Sequence, residues 1–217
     1  TLDRSSAASD VYKRQDISGV PAPAGETIPV TVEESTKAKH FGVRTVEGID
    51  ANAVAPFWMQ RELMLAGVRS VNAATDVTNY VMLLTGQPMH AFDADKIAGG
   101  LRVHNASDGE KFETLDHVER TLSAEDVVIS DDNGIQSLAG IMGGTTSEIS
   151  DETVNVHFEA ATWDPLTVAR TARRLKLSSE ASRRFERGVD PQLVENALDI
   201  ACALLVAVSY THLRAHE

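Results

Sequence analysis

One stretch of the 217-residue chain has a composition that a plain helix surface does not explain: Leu175-Lys-Leu-Ser-Ser-Glu-Ala-Ser-Arg-Arg-Phe-Glu-Arg-Gly-Val-Asp-Pro191. It contains four positive charges, three carboxylates and several small hydroxyl residues, and it ends on a Gly-Val-Asp-Pro sequence that no helix continues through. A second unusual stretch lies upstream, Gly86-Gln-Pro-Met-His-Ala-Phe-Asp93. These two stretches carry most of the information about fold and function.

Composition predicts an ordinary soluble globular protein with enough apolar residues for a core, since 42% of the residues are hydrophobic and 24% are charged. The single cysteine, Cys202, lies in an apolar run, so no disulfide can form within the chain and a reducing compartment is favoured. No apolar run reaches the roughly 18 residues of a membrane span, and no signal peptide is visible. We therefore expect a cytoplasmic protein with no membrane partner.

The charge distribution argues against a general nucleic-acid binder, because the net charge is −12 and phosphate contacts need clustered Lys and Arg. Positions 165–190, however, contain seven basic and three acidic residues, which leaves −16 for the rest of the chain. This strip is compatible with RNA contact at one place. From charge alone, a solvated helix face with internal ion pairs is the favoured interpretation, and RNA contact stays open as the alternative.

The pattern of apolar residues and turns divides the chain into four parts. Residues 1–15 and 208–217 resemble translated sequencing-adapter sequence and are expected to be non-native. Residues 16–40 form a Pro- and Gly-containing lead-in with one strand-like patch at 28–32. Residues 41–207 predict one α+β domain, with a mostly antiparallel, β-sandwich-like core flanked by helices. The predicted helices are 57–66, 76–85, 164–175 and 191–207, and the predicted strands are 41–47, 101–106, 111–115, 121–122, 127–129, 135–142 and 153–160.

Two residues are the strongest candidates for chemistry. His90 is predicted in a loop after a helix end, beside Asp93, where it can serve as a base, an orienting group or a structural brace. Glu159 is predicted at the end of a strand that enters the core, so its carboxylate must be paired. The partner is either an arginine from positions 170–184 or a ligand hydroxyl.

Other common catalytic and binding patterns are absent from the sequence. The histidines at 40, 104, 117 and 157 lack zinc-site spacing, and His212 and His216 lie in the suspect tail, so no metal site is predicted. The glycine-rich run 138–146 lacks the ending of a phosphate-binding loop, and we interpret it as a tight bend that lets the backbone approach a neighbour or a ligand.

The chain resembles the B3/B4 region of the bacterial phenylalanyl-tRNA synthetase beta subunit over about residues 41–207. The two stretches quoted above carry this resemblance, together with Gly67-Val-Arg-Ser-Val71, Asp76-Val-Thr-Asn-Tyr80 and Gly140-Ile-Met-Gly-Gly144. The resemblance implies an editing domain that hydrolyses tyrosine wrongly esterified to tRNA(Phe). The implied pocket residues are His90 and Glu159 as the catalytic candidates, with no general base assigned, and Thr78, Gly143, Ser179 and Ala181 as substrate-binding residues.

The resemblance also implies roles, partners and cofactors. Glu159 is expected to read the para-hydroxyl of tyrosine, and Ser179 stands where well-studied members carry threonine. The backbone at Gly143-Gly144, with His90, is expected to polarise the ester, and Arg183, Arg184 and Arg187 to brace the pocket wall through nearby carboxylates. The whole enzyme would be an (alpha-beta)2 heterotetramer that binds tRNA(Phe) and uses ATP and Mg²⁺, with no cofactor in this part.

Two alternatives remain from the sequence. One is a non-editing tRNA-binding or scaffolding module of the same subunit. The other is a freestanding hydrolase that edits in trans.

Overall fold

The computed structural model describes residue 25 and residues 28–211, without the side chains of residues 210 and 211. The predicted non-native segment 1–15, residues 16–24, 26 and 27 of the lead-in, and His212 with His216 lie outside the described residues. The strand-like patch predicted at 28–32 is confirmed as a short strand.

Five α-helices and ten strands are present in the described part of the chain. The helices are α1 Phe57–Leu65, α2 Ala73–Thr85, α3 Pro165–Arg174, α4 Glu180–Arg187 and α5 Leu193–Thr211. The strands are β1 Val30–Val32, β2 His40–Val46, β3 Met89–Asp93, β4 Leu101–Asn105, β5 Lys111–Thr114, β6 Val118–Thr121, β7 Val127–Asp131, β8 Gly134–Leu138, β9 Met142–Gly143 and β10 Val156–Thr162.

Two helix predictions need correction. Helix α4 was not predicted, because only Ser182 and Phe185 of its eight residues are buried and the apolar stripe is too short to recognise. Helix α5 continues past its predicted end at 207 to Thr211, and Val208 and Ser209 are both buried. The adapter-like appearance of this end therefore did not mark the end of the helix.

The strands form two main sheets, which confirms the predicted α+β class with mostly antiparallel pairing. Strand β10 is the centre of an antiparallel three-stranded sheet in the order β2-β10-β3. A five-stranded sheet has the order β1-β4-β7-β8-β9, where only the β1–β4 pairing is parallel. Strands β5 and β6 form a separate hairpin.

Strand β10 separates two hydrophobic cores, and all seven of its residues are buried. Because strand side chains alternate between faces, Phe158 and Ala160 pack in one core with helices α1, α2 and α5, whereas Ala161 faces the other. That second core contains residues of the five-stranded sheet and of helices α3 and α4. Glu159 shares the Ala161 face, so a carboxyl group points into the interior between the two sheets.

Within the described residues, no helix combines the length and apolar character that a membrane crossing requires.

Candidate functional site

A pocket with an empty volume of about 340 Å³ opens where strands β3 and β10 meet the β8–β9 segment and helix α4. Four of the six residues predicted for the site contribute to its wall: His90, Gly143, Glu159 and Ala181. The complete lining is Pro88, Met89, His90, Ser137, Gly140, Ile141, Met142, Gly143, Glu159, Trp163, Ala181 and Phe185.

His90 and Glu159 are direct cross-strand neighbours in the β3–β10 ladder. Side chains at such a pair lie on the same face, with Cβ atoms about 4.5–5.5 Å apart. The prediction of a loop position for His90 was wrong, because Met89–Asp93 pair with β10 as a strand. Glu159 was expected at a strand end and lies instead in the middle of β10. Both side chains are therefore fixed by regular backbone pairing.

Glu159 is 6% exposed, and no hydrogen bond or ion pair joins its carboxyl group to any described residue. The arginines from 170–184 that were considered as partners are engaged elsewhere or lie outside this pocket. Arg174 pairs with Asp126, and Arg183 and Arg184 both pair with Glu180. Burial raises the pKa of Glu159 to about 8. At neutral pH the group is thus mainly a neutral carboxylic acid, which can both donate and accept a hydrogen bond.

His90 packs edge-on against Phe92, with ring centroids 4.4 Å apart. Burial lowers the pKa of His90 to about 4, so the imidazole is neutral at physiological pH. A neutral imidazole donates from one ring nitrogen and accepts at the other. With so low a pKa, His90 is a weak base and is better suited to orienting a water or an ester by hydrogen bonds.

Gly143 lets the backbone of β9 lie directly against the His90 ring. A Cβ atom at position 143 would be 2.3 Å from Cε1 and 2.6 Å from Nε2 of His90. The tight bend predicted for 138–146 is confirmed at Gly140, whose φ is +69° and whose added Cβ would be 2.6 Å from Cδ1 of Trp163. Both glycines are needed for close approach.

One predicted donor is not available. The N–H of Gly144 donates to the carbonyl oxygen of Gln136 at 2.8 Å. The N–H of Gly144 is therefore used in a backbone hydrogen bond and cannot polarise an ester at the same time.

Two predicted binding residues do not line the pocket. Thr78 is buried in α2, and its hydroxyl donates to the carbonyl of Thr75 at 2.8 Å. Ser179 is the N-cap of α4, and its hydroxyl accepts from the N–H of Ser182 at 3.0 Å. Substrate contact by these two residues remains a prediction from the resemblance. The structural role of Ser179 is to start the helix that carries Ala181 and Phe185.

Two of the three basic residues of α4, Arg183 and Arg184, pair within their own helix. Arg183 lies 3.0 Å and Arg184 2.7 Å from the carboxylate of Glu180, which is half exposed. These contacts brace α4 along its length and lower the pKa of Glu180, chiefly through Arg184. For Arg183 and Arg184, the expectation that they brace the pocket wall holds only indirectly, through the helix itself. For Arg187 it remains a prediction.

The pocket also contains residues that sequence analysis missed. Trp163 follows β10 directly, and Phe185 faces the pocket from α4 one turn after Ala181. The spacing of Ala181 and Phe185 is the signal of a common helix face, and it becomes visible once α4 is recognised. Trp163 carried no such signal. No group of three or more His, Cys, Asp or Glu side chains is placed to hold a metal ion in the part of the chain that is described.

The fold and site define a class: an α+β domain with a pocket of mixed polar and apolar lining between two sheets, in which one buried acid faces a neutral imidazole. The chain belongs to the B3/4 domain family, whose model matches residues 37–209. It is 72% identical over 194 residues to the phenylalanine–tRNA ligase beta subunit of Corynebacterium diphtheriae, and 73% identical over 190 residues to that of Corynebacterium glutamicum.

These alignments cover 89% and 88% of this chain, but 23% of each relative. The chain thus spans less than a quarter of the length of the curated relatives it matches. A solved N-terminal fragment of the phenylalanyl-tRNA synthetase beta subunit from Pyrococcus horikoshii is 19% identical, with a TM-score of 0.48 over 72% of this chain and 52% of that one.

Proposed function

We propose that this chain is the editing region of a phenylalanine–tRNA ligase beta subunit, and that it hydrolyses tyrosine esterified to tRNA(Phe). One observation carries the proposal: Glu159 places in the pocket wall a buried carboxyl group that has no partner among the described residues, directly across the ladder from His90. A group of this kind is stabilised when a ligand supplies the missing hydrogen bond. The para-hydroxyl of a tyrosyl side chain is such a ligand, and phenylalanine lacks it.

Selectivity follows from the cost of leaving Glu159 unpaired. A phenylalanyl group in the pocket would displace solvent from the carboxyl group without offering a hydrogen bond, at a cost of about 1–3 kcal/mol. That cost corresponds to roughly a 5- to 150-fold preference for tyrosine. A synthetic site for an apolar side chain rejects an analogue with one extra hydroxyl by only about a hundredfold. A second site that requires the hydroxyl can hydrolyse the tyrosyl-tRNA that the synthetic site produces by mistake.

The chemistry asked of the pocket is ester hydrolysis. A water oxygen attacks the carbonyl carbon, the bond from that carbon to the terminal ribose oxygen breaks, and tyrosine and free tRNA(Phe) leave. His90 orients the water or the carbonyl through hydrogen bonds from its neutral ring. Its lowered pKa makes protonation of the imidazole unfavourable, so it is a poor proton acceptor. Gly143 keeps the ring in place by direct backbone contact.

The assembly implied by the relatives belongs to the same proposal. In the cytoplasm, the complete enzyme would attach phenylalanine to tRNA(Phe) as an (alpha-beta)2 heterotetramer. ATP and Mg²⁺ would bind in the synthetic site of the alpha subunit. The described residues of this chain offer no cluster of ligands for that ion.

Deacylation of Tyr-tRNA(Phe) by the purified chain tests the proposal, with Phe-tRNA(Phe) and a buffer blank as controls. We expect release of tyrosine well above the spontaneous rate and little release of phenylalanine. A folded chain that leaves Tyr-tRNA(Phe) at the spontaneous rate, both alone and within the complete heterotetramer, would contradict editing and favour the non-editing tRNA-binding module. Activity only within the heterotetramer would argue against a freestanding hydrolase.

A further inference from the structure

Gln87 is a fully buried glutamine at the start of the strand that carries His90. Its side-chain Nε2 donates two hydrogen bonds of 2.9 Å, one to the carbonyl of Pro88 and one to the carbonyl of Ala161 in β10. The second bond joins residues 74 positions apart in sequence. It therefore ties the beginning of β3 to the strand that carries Glu159.

The direction of the carbonyl groups along β10 explains why this bond is needed. The N–H of Ala94, on the β3 side, donates to Asn155, whereas the N–H of Lys39, on the β2 side, donates to Thr162. Since carbonyl directions alternate along a strand, the odd-numbered residues of β10 turn their carbonyl groups towards β3. The carbonyl of Ala161 therefore faces β3, as do those of His157 and Glu159.

The residue opposite Ala161 cannot supply the expected donor. Met89 pairs with Ala160, so the next position along the ladder sets Pro88 against Ala161. Proline has no backbone N–H and leaves a gap in a strand ladder. The Gln87 amide fills this gap from the side.

We propose that Gln87 is a positioning residue for the reaction. Its side-chain amide replaces the N–H that Pro88 lacks and so holds His90 in register opposite Glu159. Without this bond the last N–H donated from β3 to β10 at this end would be that of His90, opposite Glu159. His90 would then lie at the fraying end of the ladder. Pro88 and Met89, which also line the pocket, would move with it. The kinetic part of this inference rests on the proposed hydrolysis, whereas the structural part does not.

Three variants of the full chain test the inference: Gln87→Met, the double variant Gln87→Met with Pro88→Ala, and Gln60→Met as a matched control. Methionine preserves the length of the side chain and removes both donors. Pro88→Ala supplies the missing backbone N–H opposite Ala161. The Gln60 side chain also donates to a backbone carbonyl, that of Ala55, at 2.6 Å, and lies in α1 away from the pocket.

Two measurements are made on each variant. The first is an NMR titration of the His90 ring, and the second is kcat and KM for Tyr-tRNA(Phe). For Gln87→Met we expect the His90 pKa to rise from about 4 towards its ordinary value as the ring gains solvent. We also expect kcat to fall about tenfold or more while KM changes little, because misplacement of a reacting group by about 1 Å costs up to a hundredfold in rate. The double variant should recover most of both values, and Gln60→Met should match the unmodified chain.

The outcomes separate this inference from the proposed function. An unchanged His90 titration and unchanged kcat in Gln87→Met would overturn the inference, as would loss without recovery in the double variant. If Gln87→Met does not fold, the double variant decides, since recovery of the fold supports the role of the donor and failure to recover rejects it. An unmodified chain that does not hydrolyse Tyr-tRNA(Phe) would remove the proposed function, yet the His90 titration would still test the role of Gln87.

Discussion

Glu159 and His90 share one environment and respond to it in opposite directions. Burial raises the pKa of Glu159 to about 8 and lowers that of His90 to about 4. Their ordinary values are 4.5 and 6.5. Between pH 4.5 and 6.5 the folded state holds one extra proton on Glu159 and one fewer on His90, so the two contributions to the pH dependence of stability offset each other. Between pH 6.5 and 8 only the Glu159 contribution remains.

The variant Glu159→Gln should remove that remaining dependence. A group whose pKa is raised on folding contributes stability that is lost as pH rises through the folded value. The unmodified chain should therefore lose about 2 kcal/mol of unfolding free energy between pH 6.5 and 8, at about 1.4 kcal/mol per pH unit. Urea denaturation across this range measures it, with Glu125→Gln, an exposed glutamate, as the control. Parallel stability curves for the unmodified chain and Glu159→Gln would contradict the assignment.

At the residue scale, the sequence indicated Glu159 and His90 as site residues but did not indicate that they pair across two strands. The apolar neighbours of Glu159 correctly indicated burial, and the odd composition around His90 indicated a site. Their direct pairing depends on the register of two strands that are 69 residues apart at this ladder position. No local pattern specifies that register. Thr78, which the resemblance placed with them, lies in α2 with its hydroxyl bonded inside the helix.

At the scale of elements, helix α4 controls one wall of the pocket. Ser179 and Ser182 satisfy each other's backbone N–H groups in a reciprocal cap, with both bonds at 3.0 Å. The sequence Ser-Ser-Glu-Ala-Ser contains this cap, but five charged residues in eight hid the helix that follows it. The tight bend at the glycine run 138–146 could be predicted from sequence. A close backbone approach requires glycine regardless of which neighbouring group the backbone contacts.

Removing the cap should loosen this wall. We expect Ser179→Ala to lower the unfolding free energy by about 0.5–2 kcal/mol, because the first turn of α4 loses its side-chain acceptor. The neighbouring Ser178→Ala is the matched control. Among the described residues, its hydroxyl accepts only from exposed Arg183, at 3.2 Å, so the cost of the substitution should stay within about 0.5 kcal/mol. Equal stability of the two variants in thermal denaturation would show that the cap does not hold the helix.

At the scale of the whole molecule, the pocket depends on the junction of two sheets and two cores. The three-stranded sheet supplies His90 and Glu159, the β8–β9 segment supplies the glycine backbone, and α4 supplies Ala181 and Phe185. Composition and periodicity predicted the α+β class, since helices and strands are segregated along the chain. They did not predict which faces meet, because β10 is buried on both sides, so the alternation of polarity over 156–160 does not mark one face as solvent-exposed.

The selectivity of deacylation tests the central claim, that Glu159 reads the hydroxyl of tyrosine. The measurement is the ratio of kcat/KM for Tyr-tRNA(Phe) to that for Phe-tRNA(Phe), in the unmodified chain and in Glu159→Ala, with circular dichroism to confirm that both are folded. We expect Glu159→Ala to keep its fold and the ratio to fall by about 5- to 150-fold, in line with the loss of a preference of about 1–3 kcal/mol. A ratio that stays unchanged in a folded Glu159→Ala variant would contradict it.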